Sequence, residues 1–137
     1  MKELLHIDDV EKYYGSKNNI TKAINRISFT INQGEFTGIM GASGSGKTTL
    51  LNLMATVDTV TSGHIWYGQE DITRMTEGQM SDFRKNNLGF VFQDYNLLDT
   101  LTIKENISLA MALTKKSRSE IEKRTHDIME RLEIWPL

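Results

Sequence analysis

A chain of 137 residues has room for one domain with a real core and none for a second. Its 16 Lys and Arg lie interspersed with 18 Asp and Glu, a net charge of −2, which leaves no electrostatic footprint for nucleic acid as the main partner. Cysteine is absent, which excludes disulfides and thiolate metal sites and fits the cytosol, while no apolar run approaches the ~20 residues of a membrane span and Met1-Lys2-Glu3-Leu4-Leu5-His6 carries no signal-peptide core.

In chain order, residues 4–14 and 23–31 are rich in β-branched and aromatic side chains and flank the turn-forming Gly15-Ser16-Lys17-Asn18-Asn19, which predicts an antiparallel pair. Asn32-Gln33-Gly34 predicts a turn, and the apolar run 36–40 then reads as a buried parallel strand. Directly after it, Gly41-Ala42-Ser43-Gly44-Ser45-Gly46-Lys47-Thr48-Thr49 fills the G-x-x-x-x-G-K-[ST] pattern and opens a helix. Glycines at those positions let successive backbone N–H groups turn inward on an anion, and the helix adds the positive end of its dipole. Lys47 would neutralise β- and γ-phosphates, Thr48 would hold Mg²⁺ through its hydroxyl, and Thr49 could reach the α-phosphate. The pattern predicts a nucleotide-binding chain.

Leu50, Leu53, Met54 and Val57 have the spacing of a core-facing helical stripe. Thr61-Ser62-Gly63 turns the chain into His64-Ile65-Trp66-Tyr67, a short strand able to join the front sheet. Thr76 with Gln79 forms a capping box for a helix to about Lys85, and residues 88–92 read as a second buried strand before the irregular, polar and aromatic 93–101. Two further capping boxes, Thr102 with Glu105 and Ser119 with Glu122, open helices with stripes at Ile103, Ile107, Ala110 and Met111, then Ile121, Ile128, Leu132 and Trp135. Glu120, Glu122, Glu130 and Glu133 make the wet face of the last helix, and Pro136 stops it. The basic run Lys115-Lys116-Ser117-Arg118 reads as a solvated connection, and His6, His64 and His126 stand too isolated for metal ligands.

Around the phosphate-loop pattern stand, in order, Tyr13-Tyr14-Gly15, Gly34-Glu35-Phe36, Thr61-Ser62-Gly63, Leu88-Gly89-Phe90-Val91-Phe92-Gln93 and Leu101-Thr102-Ile103-Lys104-Glu105-Asn106-Ile107. Together they resemble the ATP-binding subunit of an ABC transporter, nearest the bacterial exporters of the lipoprotein-release, macrolide and peptide-antibiotic type; residues 89–102 look most like the bacitracin-resistance branch. The resemblance covers essentially the whole chain. It implies an α/β fold of the P-loop NTPase class, with an incomplete RecA-like parallel core (36–58 and 88–93), an N-terminal antiparallel β subdomain (1–35 and 60–70) and the start of a C-terminal helical subdomain (94–137). It also implies ATP and Mg²⁺ as ligands, with a transmembrane permease subunit and a second copy of the nucleotide-binding domain as partners. The place it implies is the cytoplasmic face of the membrane, reached through the permease.

One of Tyr13 and Tyr14 must be an ordinary strand aromatic, and the family context places adenine stacking on Tyr14, a contact that needs no specific hydrogen bonds. Gln93 matches the glutamine that contacts Mg²⁺ and the attacking water; its uncharged amide can position water through its oxygen. The resemblance also has limits. A Ser-Gly-Gly-Gln signature, the apolar strand ending in Asp-Glu that supplies the general base, and the switch histidine are missing from these residues. The parent is therefore expected to be an export ATPase, while these residues alone are expected to hold Mg·ATP without turnover. A small-molecule kinase sharing the loop would not account for the Tyr14 hairpin or the Gln93 loop. Runs 36–40 and 88–92 are apolar as if covered on both faces, so exposed edges and self-association are expected of the isolated chain.

Overall fold

The computed structural model describes residues 2–16, 19–92 and 94–136, in two compact units, 1–84 and 85–137. In the first unit, strands β1 (Glu3–Ser16) and β2 (Asn19–Asn32) form a long antiparallel hairpin that pairs through to Ser16 opposite Asn19. Both strands run further than the residue pattern predicts, and Lys17 and Asn18, the middle of the expected turn, lie outside the described residues. Strand β3 (Ser62–Tyr67) pairs with β1 as expected, and the two-residue β4 (Glu70–Asp71) completes a sheet of order β2-β1-β3-β4.

Simple alternation fails twice in the hairpin, each time for the same reason. Ile7 and Val10 are both fully buried although three residues apart, because the register slips between them and Asp9 takes φ +47°. On β2, Ile24 is buried and Ile27, Phe29 and Ile31 half-buried, with Arg26 at φ +51°. A bulge adds one residue to one strand, which resets which parity faces the core. After the first bulge the inward positions of β1 are Val10 and Lys12.

Helix α1 (Lys47–Met54) follows the phosphate-loop pattern and buries Leu50 and Leu53. Met54 is half-buried, but Val57 is 58% exposed, because the helix has already ended. A 3₁₀ turn (Ile72–Arg74) and helix α2 (Glu77–Asn87) follow. The Thr76–Gln79 capping box forms reciprocally: Thr76 N–H donates to Gln79 Oε1 at 2.9 Å and Gln79 N–H to Thr76 Oγ1 at 3.4 Å. Ile7, Val10, Ile24, Leu50, Leu53, Ile65, Ile72 and Phe83 make the core of this unit, with Phe83 edge-on to Tyr67.

The two runs predicted as buried parallel strands are not strands here. Residues 36–46 and 88–92 carry no ladder hydrogen bonds, and Phe36 and Met40 are 100% and 93% exposed. A parallel strand needs a neighbour to take its N–H and C=O groups, and no described strand lies beside either run. Phe90 and Phe92 instead stack on one another, with centroids 5.6 Å apart.

The second unit holds helices α3 (Ile103–Ala112) and α4 (Arg118–Arg131), which pack together. The Thr102–Glu105 capping box forms as expected. On α4 the cap is Ser117, whose hydroxyl accepts from Glu120 N–H, and not the expected Ser119. The helix buries Thr125 and Met129, with Ile121 and Ile128 half-buried. Nor does Pro136 end it. Ile134 N–H donates to Met129 O and Glu133 N–H to Glu130 O, with Glu133 at φ +58°, a Schellman turn that leaves Leu132 and Trp135 outside the helix and exposed. Glu120, Glu122, Glu130 and Glu133 are exposed, as the wet face requires. No described helix is long and apolar enough to cross a membrane.

Candidate nucleotide-binding site

Gly44 and Gly46 take φ +78° and +94°, values that an L side chain rarely adopts, and so fold the loop back toward the start of α1. Ser45 N–H closes the loop on Ala42 O at 3.2 Å, and Leu50 N–H closes the first helical turn on Gly46 O at 2.9 Å. Gly46 also lies hard against the hairpin: a Cβ there would meet Ala23 O at 2.4 Å. The site is thus built onto β2 at its helical end.

Helix α1 is capped differently from α2, α3 and α4. Gly46 offers no side-chain cap and the first turn has no acidic residue, whereas Thr76, Thr102 and Ser117 supply hydroxyl caps to the other three. The first N–H groups of α1, with the positive end of its dipole, are left for an acceptor from outside the helix. Lys47 Nζ folds over the loop and donates to Gly41 O at 2.9 Å and Ala42 O at 2.7 Å, so its charge stands at the same mouth. Gly41, Ser43, Gly44, Ser45 and Thr48 are exposed there, and Thr49 is half-buried.

The Thr48 hydroxyl sits at the helix start, a hard oxygen of the kind Mg²⁺ accepts. Among the described residues no group of three or more His, Cys, Asp or Glu could hold a metal. Donors of this kind fit an ion held jointly by one hydroxyl, phosphate oxygens and water, not one caged by protein. Gln93, the other expected metal contact, lies outside the described residues.

Tyr14 comes to this site through side chains that the residue pattern did not single out. Its hydroxyl donates to Asp58 Oδ2 at 2.6 Å and also meets the Thr49 hydroxyl of α1. Lys12, two residues back on the same strand face, lies with its ammonium 4.9 Å from the Tyr14 ring centroid and donates to Asp58 Oδ1 and Thr59 O, each at 2.6 Å. The hydrogen bond to Asp58 raises the Tyr14 phenol pKa above its ordinary value. For Asp58, partial burial pushes the carboxyl pKa up, but the hydrogen bonds from Lys12, Tyr14 and the Thr59 N–H together outweigh it and hold the group below the usual carboxylate range.

Asp58 reaches this position because of how α1 ends. Thr56 N–H donates to Leu53 O and Val57 N–H to Asn52 O, with Thr56 at φ +54°, the paired bonds of a Schellman turn. Arg84 of α2 secures that turn by donating to Thr56 O at 2.6 Å. Beyond it, Thr61 N–H bonds Glu11 O and Tyr13 N–H bonds Thr61 Oγ1, so the segment after α1 lies along β1 where β3 no longer pairs. Tyr13 is occupied elsewhere: its hydroxyl bonds Glu11 and the Lys22 ammonium lies over its ring. The Lys12 and Tyr14 pair was legible as i, i+2 on one strand; Asp58, 44 residues away, carried no signal of its own.

Residues 24–137 match the family profile described as ABC transporter. Over 134 residues the chain is 42% identical to the bacitracin export ATP-binding protein BceA of Halalkalibacterium halodurans, covering 98% of this chain and 53% of that protein. It is 38% identical over 120 residues to the lipoprotein-releasing system ATP-binding protein LolD of Geobacter metallireducens, covering 88% of this chain and 53% of that one. The macrolide export ATP-binding/permease protein MacB of Mannheimia succiniciproducens is 37% identical over 129 residues, 94% of this chain and 20% of that one. The fold agrees with a solved ATP-binding cassette, MJ0796, in a dimeric post-hydrolysis state bound to ADP and Pi, at TM-score 0.86 and 31% identity over 95% of this chain and 57% of that one. The chain spans about half the length of BceA and LolD. The fold is that of a P-loop ATP-binding cassette, and the chain belongs to the ABC transporter family, as part of its ATP-binding domain.

Proposed function

We propose that this chain holds Mg·ATP in the ATPase subunit of a bacterial exporter whose cargo is a peptide antibiotic, a lipoprotein or a similar amphiphile. The observation that carries the binding reading is the uncapped start of α1 beneath two left-handed glycines, with the Lys47 ammonium over the same loop mouth. In this reading N–H groups of residues 41–49 and Lys47 cradle the phosphates, Thr48 and Gln93 complete the magnesium shell, and Tyr14 stacks on adenine. Residues 1–35 and 60–70, then 36–58 and 88–93, then 94–137 correspond to the β subdomain, the parallel core and the start of the helical subdomain.

The export reading rests on the names of the relatives, which include bacitracin export and lipoprotein release. It places the protein on the cytoplasmic face of a membrane, against a permease and a second ATP-binding domain. Gln93 and the loop 94–101 would face the permease, and the Asn106 side chain, bonded to Leu98 N–H and O and to the carbonyls of Leu101 and Thr102, braces that loop. These 137 residues contain no general base positioned by a strand-end Asp-Glu and no signature motif. By themselves they bind nucleotide without turnover, since phosphoryl transfer needs a positioned nucleophile besides the loop.

Calorimetry with Mg·ATP tests the binding reading. Lys47→Ala should lose most of the nucleotide affinity with an unchanged circular dichroism spectrum, because the ammonium bonds loop carbonyls, those of Gly41 and Ala42. Equal affinity in the two proteins would refute it.

A further inference from the structure

The geometry points to Asp58 as the positioning residue for base recognition: it fixes the Tyr14 ring between a buried ammonium and the adenine. This inference rests on the reading that Tyr14 stacks on the base. The phenol donates to Asp58 Oδ2 and the Lys12 ammonium to Asp58 Oδ1, both at 2.6 Å, so one carboxylate ties down the ring's hydroxyl and the cation lying over its face. Lys12 is 8% exposed and Tyr14 is 43% exposed. The ammonium therefore covers the inner face of the ring, and the outer face is the one left for a base.

Each part of this arrangement serves stacking. A phenol free to rotate about χ1 and χ2 must be ordered when the base arrives; one already held by Asp58 and Thr49 is ordered in advance. A cation on the rear face draws on the ring's π density, which favours an electron-rich purine on the front face. Asp58 also neutralises Lys12, so the cation stays behind the ring and does not compete for the phosphates. Because Asp58 leaves the Schellman turn of α1, and Thr49 belongs to the first turn of the same helix, the ring is referenced to the phosphate loop itself.

Calorimetry on the whole chain with two probes, Mg·ATP and Mg·tripolyphosphate, tests this. Tyr14→Ala should lower ATP affinity by roughly tenfold, the scale of one base–aromatic stack, and leave tripolyphosphate unchanged. Asp58→Ala should lower ATP affinity by roughly threefold to tenfold with tripolyphosphate again unchanged, and add nothing further in the Tyr14→Ala background. Tyr14→Phe, which keeps the ring and loses its tie, should show part of the Asp58→Ala loss. If Asp58→Ala unfolds, Asp58→Asn keeps the volume and one acceptor oxygen, which cannot serve both Tyr14 and Lys12 as the carboxylate does, and a smaller loss of ATP preference in the same direction is expected of it. Asp58 variants with the native ratio of ATP to tripolyphosphate affinity, or with both affinities lowered equally, would overturn the inference while leaving a Tyr14→Ala effect intact. A native ratio in Tyr14→Ala would overturn the adenine reading and the inference with it.

Discussion

Replacing Gly46 by alanine separates the conformational demand of the phosphate loop from its steric one. At φ +94° an added Cβ costs roughly 1–2 kcal/mol for the left-handed backbone alone. That Cβ would also stand 2.4 Å from Ala23 O and 3.0 Å from Ile24 Cδ1, and the near contact is with backbone of a paired strand. Raising it to even 3.0 Å needs a shift of about 0.6 Å in β2 or in the start of α1, and overpacking of this kind costs roughly 1–3 kcal/mol more. The expected total is about 2–5 kcal/mol. Gly44 is the internal control, since it has φ +78° but nothing within 4 Å of an added Cβ, so Gly44→Ala should cost only about 1–2 kcal/mol. In urea unfolding followed by circular dichroism, Gly46→Ala should lower the midpoint by about 1 M or more and Gly44→Ala by clearly less. Equal midpoints for the two variants would show that the loop does not rest on β2, and would refute the placement of the site against the hairpin.

Acid should destabilise the first unit through Asp58 and Asp71. Both carboxyls sit below their ordinary pKa in the fold, so the stability they add is complete above about pH 4 and is lost as pH falls through their folded values. Urea midpoints should agree at pH 7 and pH 5 and drop at pH 3, with a smaller drop in Asp58→Asn; a midpoint that falls between pH 7 and pH 5 and then stays level would contradict the assignment. The exposed apolar runs holding Phe36, Met40, Val91 and Tyr95 should drive self-association of the isolated chain, and a strictly monomeric species across a wide concentration range in sedimentation would count against it. Phosphate release from Mg·ATP by these 137 residues should stay at background, and steady turnover abolished by Lys47→Ala would call for a base among residues assigned here to the surface.

Local patterns in the sequence were legible wherever the interaction that decides them is local. The phosphate loop and the Thr76 and Thr102 capping boxes depend on residues within a few positions of one another, and β1, β2 and β3 were marked by their own β-branched and aromatic residues. Bulges were not, because Asp9 and Arg26 reset the strand parity through pairing with another strand. Ser119 and Ser117 offer equivalent hydroxyls to the same helix, each followed three residues later by a glutamate, so the residue pattern alone does not choose between them. The runs at 36–40 and 88–92 have a strand's composition without a strand's neighbours, and composition cannot supply ladder partners. At the candidate site, Tyr14 and the loop residues were singled out by pattern and resemblance, whereas the Asp58 carboxylate that bonds Tyr14 and Lys12 was hidden by its separation along the chain.

Helix α1 has eight residues, about 12 Å of axis at 1.5 Å per residue, with the phosphate loop at one end and the turn that delivers Asp58 at the other. On the proposed reading, with the phosphates on the loop and the base on Tyr14, it would work as a gauge block between the two halves of a nucleotide. One residue more or less inside it would swing Asp58 about 100° around the axis and carry it away from the Tyr14 hydroxyl, while leaving the loop, its glycines and Lys47 untouched. On that reading such a chain would keep a grip on triphosphate and lose its measure of the base, which would make the length of this short helix a part of nucleotide choice.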